Sequence, residues 1–116
     1  MTLQELRIGN EVIDLDGNLR KVHGLVKTPN ESCIVHSVGG QFTYIEEIVG
    51  IPLTVEHFIN HDFAYEEFEA GVGYWMKNQF TAFEGDDGSF SFDSLGRMEY
   101  LHELQNCYFA FVGQEL

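Results

Sequence analysis

The chain has 116 residues, 44% of them apolar and 14% aromatic, and a formal net charge of −13. Ten Phe, five Tyr and one Trp exclude a disordered polyanion, because disordered chains lack the aromatic residues a core requires, and a chain this long buries roughly two thirds of its unfolded surface without help from a metal or disulfide. The acidic balance argues against direct nucleic-acid binding and against an anionic membrane surface, since its field repels phosphates and draws in cations.

The first half reads as short strands separated by turn chemistry. Val12-Ile13-Asp14-Leu15 leads into Asp16-Gly17-Asn18, and residues 19–26 follow with Leu19, Val22 and Val26. Asp-Gly between two such runs predicts a hairpin, because Gly takes positive φ without steric cost. Thr28-Pro29-Asn30 marks the next turn. Residues 32–38 carry Ile34, Val35 and Val38, and Gly39-Gly40 turns the chain into residues 41–45. Strands so closely spaced predict an antiparallel meander or a small SH3-like barrel over residues 1–51.

Ile51-Pro52-Leu53-Thr54 then opens a short helix over residues 55–61, with Thr54 as N-cap, Glu56 at the positive end of the dipole and Leu53 placed to pack on Phe58. From Phe63 the period returns to two. Phe63, Tyr65 and Phe68 predict one strand, Val72–Lys77 a second, and residues 80–83 its continuation. Glu84-Gly85-Asp86-Asp87-Gly88 is a turn before the alternating Ser89-Phe90-Ser91-Phe92-Asp93, and Gly96 breaks the chain before residues 97–101. Leu101, Leu104, Gln105, Tyr108, Phe111 and Val112 lie at helical spacing, with Gly113 as C-cap. The expectation is one α+β domain spanning residues 1–116, in which residues 52–116 form a helix, an antiparallel sheet and a C-terminal helix packed on it.

Three segments carry a resemblance: Leu6-Arg7-Ile8-Gly9-Asn10, Gly50-Ile51-Pro52-Leu53-Thr54, and the run from Leu101-His102-Glu103-Leu104-Gln105-Asn106-Cys107-Tyr108 to Gly113-Gln114-Glu115-Leu116. In this order they resemble a family of small uncharacterised proteins of Bacteroidetes genomes, their phages and mobile elements, with LRIGN, GIPLT and a closing HxLQNxYFALTGxEL. The chain departs from that pattern at Cys107, where the family has Leu, and at Phe111-Val112, where it has Leu-Thr. Each change keeps an apolar helix face. The resemblance implies a bacterial or phage context and brings no activity with it.

Candidate sites are few. His57 and His61 share a helical face, but Phe58 stands where a zincin has Glu, and two histidines are half of a four-ligand shell. Asp14, Asp16 and Asn18 open like a calcium loop, yet Leu19 and Leu25 occupy the positions of its Gly and Glu. Gly71-Val72-Gly73 lacks the third Gly and the helix of a nucleotide loop, and no GxSxG element occurs. Cys33 and Cys107 read as buried thiols. No metal, cofactor or catalytic set is therefore assigned. His57, His61, His102 and Trp75 remain candidates for the edge of a pocket.

Charge placement is more informative. Residues 1–27 hold Glu5, Glu11, Asp14 and Asp16 against Arg7, Arg20, Lys21 and Lys27, whereas from Thr28 onward 15 acids face only Lys77 and Arg97. Glu66, Glu67, Glu69, Glu84, Asp86 and Asp87, with Asp93 nearby, are expected at turns, facing a partner. The N-terminus has no basic region followed by an apolar run, and no stretch nears the ~20 apolar residues of a membrane span, which predicts a cytoplasmic protein. The expected function is a non-enzymatic acidic module docking a basic protein. Alternatives are a nucleic-acid mimic that blocks a host factor, or a small enzyme or ligand-binding domain with a His/Trp-lined pocket. An accessory module that oligomerises through its Phe-rich strands is a further possibility.

Overall fold

A computed structural model describes residues 1–36, 39–69, 72–85, 87–92 and 96–116. The expectations placed on Val38, Gly71, Asp86 and Asp93 fall outside them. The fold class is α+β, with antiparallel sheets and two short helices. The chain divides into two compact units, Met1–Ile51 and Pro52–Leu116.

In the first unit Gly17 takes φ +86° and closes the hairpin between β1 (Glu11–Asp14) and β2 (Leu19–Lys21). In the calcium-like turn the Asp14 carboxylate is taken up by backbone N–H groups of the turn itself. Its Oδ1 accepts from the N–H groups of Asn18 and Asp16, and its Oδ2 meets Arg20 Nε at 3.1 Å. The strand expected over residues 19–26 is broken. At Val22 the backbone bonds to Gly9 and Asn10, and at His23 it bonds to Val35. The chain thus leaves one sheet there and enters another as β3 (Gly24–Lys27).

Strands β4 (Ser32–Val35) and β5 (Phe42–Tyr44) complete a three-stranded sheet in the order β3-β4-β5. A 3₁₀ turn at Ile45–Glu47 then leads to β6 (Ile48–Val49), which joins β1 in the sheet β2-β1-β6. Among the described residues the two sheets are not hydrogen-bonded into a closed barrel. They share one core, made by Leu6, Val12, Val22, Ile34, Ile45 and Ile48.

The second unit opens at Thr54, whose extended backbone caps α1 (Val55–Asn60). His57 Nδ1 accepts the Thr54 N–H at 3.0 Å and so supplies the return half of a capping box. Five strands follow as a meander: β7 (Ala64–Glu69), β8 (Val72–Lys77), β9 (Phe80–Glu84), β10 (Phe90–Phe92) and β11 (Gly96–Met98). Their spatial order is β11-β10-β9-β8-β7. Residues 80–83 do not continue β8. Asn78 and Gln79, at φ 50° and 70°, reverse the chain between β8 and β9, and two residues at positive φ are what a tight hairpin turn requires. Gln79 stands where such a turn has Gly, so the sequence conceals it. The edge strand β11 ends at Met98, and Leu101 already belongs to α2 (Leu101–Val112). Glu103 Oε1 accepts from the N–H groups of Glu99 and Tyr100 at the start of α2, and Gly113 at φ +82° ends it.

Period-two alternation divides the sheet into two faces. On the inner face Trp75, Phe80, Ala82, Phe90 and Met98 are buried together with Phe58 of α1 and Leu101, Leu104 and Tyr108 of α2. Phe58 stacks on Trp75 with ring centroids 5.5 Å apart, and meets Phe90 at 4.9 Å and Phe63 at 5.1 Å. Tyr108 packs edge-on against Phe80 at 5.4 Å, and its hydroxyl accepts from Asn78 Nδ2 at 2.7 Å. Phe58→Ala empties the centre of this aromatic layer. Its expected cost, about 3–5 kcal/mol of stability, is read by chemical denaturation, with Ile59→Ala on the exposed side of α1 as the near-neutral control.

Candidate functional site

The sheet's outer face is built from alternate residues of β7, β8 and β9. Tyr74 pairs with Phe83 and Met76 with Thr81 across the β8–β9 ladder. Phe68 joins them from a bulge in β7, where the register shifts between Glu67 and Glu69. With Val72 these residues line an open apolar concavity of about 460 Å³. Its walls are wet: Phe68 is 73% exposed, Phe83 42% and Val72 38%. Small-molecule sites enclose most of their ligand, and a groove with walls so exposed does not.

The acids fall into three groups. Glu66, Glu67 and Glu69 lie on the edge strand β7, all of whose residues are exposed, rather than at a turn. This corrects the sequence expectation. Glu66 Oε2 accepts the Tyr74 hydroxyl at 2.7 Å beside the groove. Glu84 has a structural task, because its Oε1 accepts the Trp75 indole N–H at 2.8 Å and satisfies a donor on a 7%-exposed ring. Asp87 accepts from Ser89 Oγ at 2.6 Å and from the Ser89 N–H at 3.0 Å. Those two bonds hold its carboxyl below the usual carboxylate range. Asp86 is outside the described residues.

The histidine and tryptophan candidates are dispersed among structural roles. His57 caps α1, and the His61 carbonyl accepts from Lys77 Nζ at 2.8 Å. His102 is 1% exposed on α2 and stacks on Tyr100 at 5.7 Å. Trp75 is a core residue, with the tilted Tyr65 ring 4.8 Å away. The Tyr65 ring lies over Gly73, where a Cβ would overlap it. None of these four candidates lines the outer groove. Among the described residues, no group of three or more His, Cys, Asp or Glu could hold a metal ion, and no helix is long and apolar enough to cross a membrane.

Cys33 is buried, whereas Cys107, expected to be buried as well, is only half-buried on α2. Both are free thiols. Burial first and Glu103 second raise Cys107, while burial, Glu31 and Glu46 raise Cys33. A raised thiol pKa leaves the unreactive protonated form at neutral pH. Sequence reasoning missed the groove itself. Its signal was present in Val72, Tyr74 and Met76 on one parity of β8 and Gly73 and Trp75 on the other, but alternation alone does not say which parity the helices cover.

The Glu66 contact gives Tyr74 a titration signature. The hydrogen bond to Glu66 first, and partial burial second, raise the Tyr74 phenol above its ordinary value. A raised folded pKa means that the bond's stabilisation is fully present below about pH 10 and is lost as pH rises through the folded value. Glu66→Gln removes the carboxylate, so absorbance titration of the phenols is expected to show one tyrosine moving down towards the ordinary range. Comparison of the chain with protein-family models, with curated proteins and with solved structures finds no match.

Proposed function

We propose that the chain is a non-enzymatic acidic interaction module whose second unit docks a basic protein. The observation that carries this reading is the charge of that unit, in which 12 acids stand against Lys77 and Arg97, a net −10. Lys77 is occupied by the His61 carbonyl, with its Nζ 6.0 Å from the Phe63 ring centroid and 5.8 Å from that of Tyr108, and Arg97 lies 3.7 Å from Glu99. The field in front of β7 is therefore negative and attracts cations. The dispersal of His57, His61, His102 and Trp75 supports docking over a pocket enzyme. Strand alternation places Glu66 and Glu67 on opposite faces of β7, which supports docking over mimicry by an unbroken row of carboxylates.

The first unit reads as an open, SH3-like scaffold. Two three-stranded sheets around one core, a strand interrupted at Val22-His23, and a 3₁₀ turn before the last strand support that reading. The protein is cytoplasmic in this reading, and its context is that of the bacterial and phage proteins it resembles.

The test measures binding to a basic protein partner across a salt series. Exposed charges are screened over about 8 Å at 0.15 M salt. Affinity is therefore expected to fall steeply between 20 and 150 mM NaCl, roughly tenfold or more, and the triple variant Glu66→Gln, Glu67→Gln, Glu69→Gln is expected to weaken binding at low salt and flatten the slope. Binding that is insensitive to both salt and the triple variant would contradict the proposal.

A further inference from the structure

The outer face of the sheet is polarised. The register lines up one row across all five strands: Glu66 pairs with Tyr74, Tyr74 with Phe83, Phe83 with Ser91, and Ser91 with Arg97. One end of the row is a carboxylate, its middle is aromatic, and its far end is a guanidinium. Neighbouring strands are about 4.8 Å apart, so the row spans roughly 19 Å. That is the length of about six extended residues or about 13 helical ones.

We infer that this face binds a single amphipathic peptide segment of the partner, apolar at its centre and cationic at one end, laid across the strands with that end over β7. The inference rests on the reading of the chain as an acidic docking module and names what that module recognises. The apolar centre covers Tyr74, Met76 and Phe83, whose exposed carbon otherwise faces water. Lys or Arg side chains meet Glu66 and Glu69, and the uncharged end lies towards Arg97. Charge selects this occupant over a second copy of the chain, because a face-to-face pair would bring two units of net −10 together. The exposed walls select a segment over a small molecule.

The probe is a fluorescent 13-residue peptide with Lys at one end and Leu and Trp at the centre, compared with oligolysine of equal charge and with the same peptide carrying Glu for Lys. Anisotropy is expected to give the Lys-apolar peptide an affinity at least tenfold above oligolysine, with the Glu peptide silent. The double variant Phe68→Thr, Phe83→Thr, at two exposed positions, is expected to reduce the Lys-apolar peptide to the oligolysine level. Amide NMR on the unsubstituted protein keeps the test independent of the variant's folding, with shifts expected at Tyr74, Met76, Thr81 and Phe83. Equal binding of both basic peptides, unmoved by Phe68→Thr, Phe83→Thr, would overturn the inference and leave a purely electrostatic docking module standing. Failure of both basic peptides to bind would overturn the docking reading with it. Concentration-dependent dimers in sedimentation that the double variant abolishes would assign the face to a second copy and overturn the inference as well.

Discussion

The ring of Phe58 holds a six-residue helix that could not persist alone. Isolated helices shorter than about 12 residues are marginal in water, and α1 survives because its one fully buried side chain enters the layer formed by Phe63, Trp75 and Phe90. The same layer fixes the sheet. Shifting β8, β9 or β10 by one residue would move Trp75, Phe80 or Phe90 to the outer face and bring Tyr74 or Met76, Thr81, or Ser91 inward in its place. Once that parity is set, the placement of Tyr74, Met76 and Phe83 on the outside follows from it. The groove is a consequence of the core rather than a separate construction.

Electrostatics is laid over this frame unevenly. Some acids are consumed by folding: Glu84 satisfies the Trp75 indole, Asp87 closes its own turn with Ser89, and Glu103 caps α2. The three on β7 do other work. An edge strand with unpaired backbone groups invites pairing with another chain, and charged side chains along it oppose that. Glu66, Glu67 and Glu69 on this exposed edge therefore keep it from pairing with a like strand and present a negative border to whatever meets the outer face. Both effects repel another acidic copy, and the second attracts a basic segment.

Much of the fold is legible in the residues. Asp16-Gly17, Thr54 and Gly113 mark their turn and caps by chemistry that few other residues can supply, and the alternation of β8 and β10 is plain. What escapes the sequence depends on contacts between distant residues. The break at Val22-His23 is set by Gly9 and Asn10, which lie in the LRIGN segment. The Asn78-Gln79 turn is held in place from α2 through the Tyr108 hydroxyl. His57 replaces the Glu or Gln that would have announced a capping box. Residues 6–10, residues 50–54 and the run from Leu101 onward thus sit at a backbone clamp, a helix entry and a partly buried helix face. The groove escaped because the choice between the two parities of β8 lies in what α1 and α2 cover.

The parity of the sheet is the claim on which both the core and the proposed docking face stand. Single cysteines at Thr81, Ala82 and Phe83, in a background with Cys33→Ala and Cys107→Ala, test it through their rates of reaction with a thiol reagent under native conditions. Fast labelling at 81 and 83 with strong protection at 82, where the native Ala is fully buried, is the expected result. Uniform labelling of the three positions, or protection at 81 and 83 with exposure at 82, would contradict it.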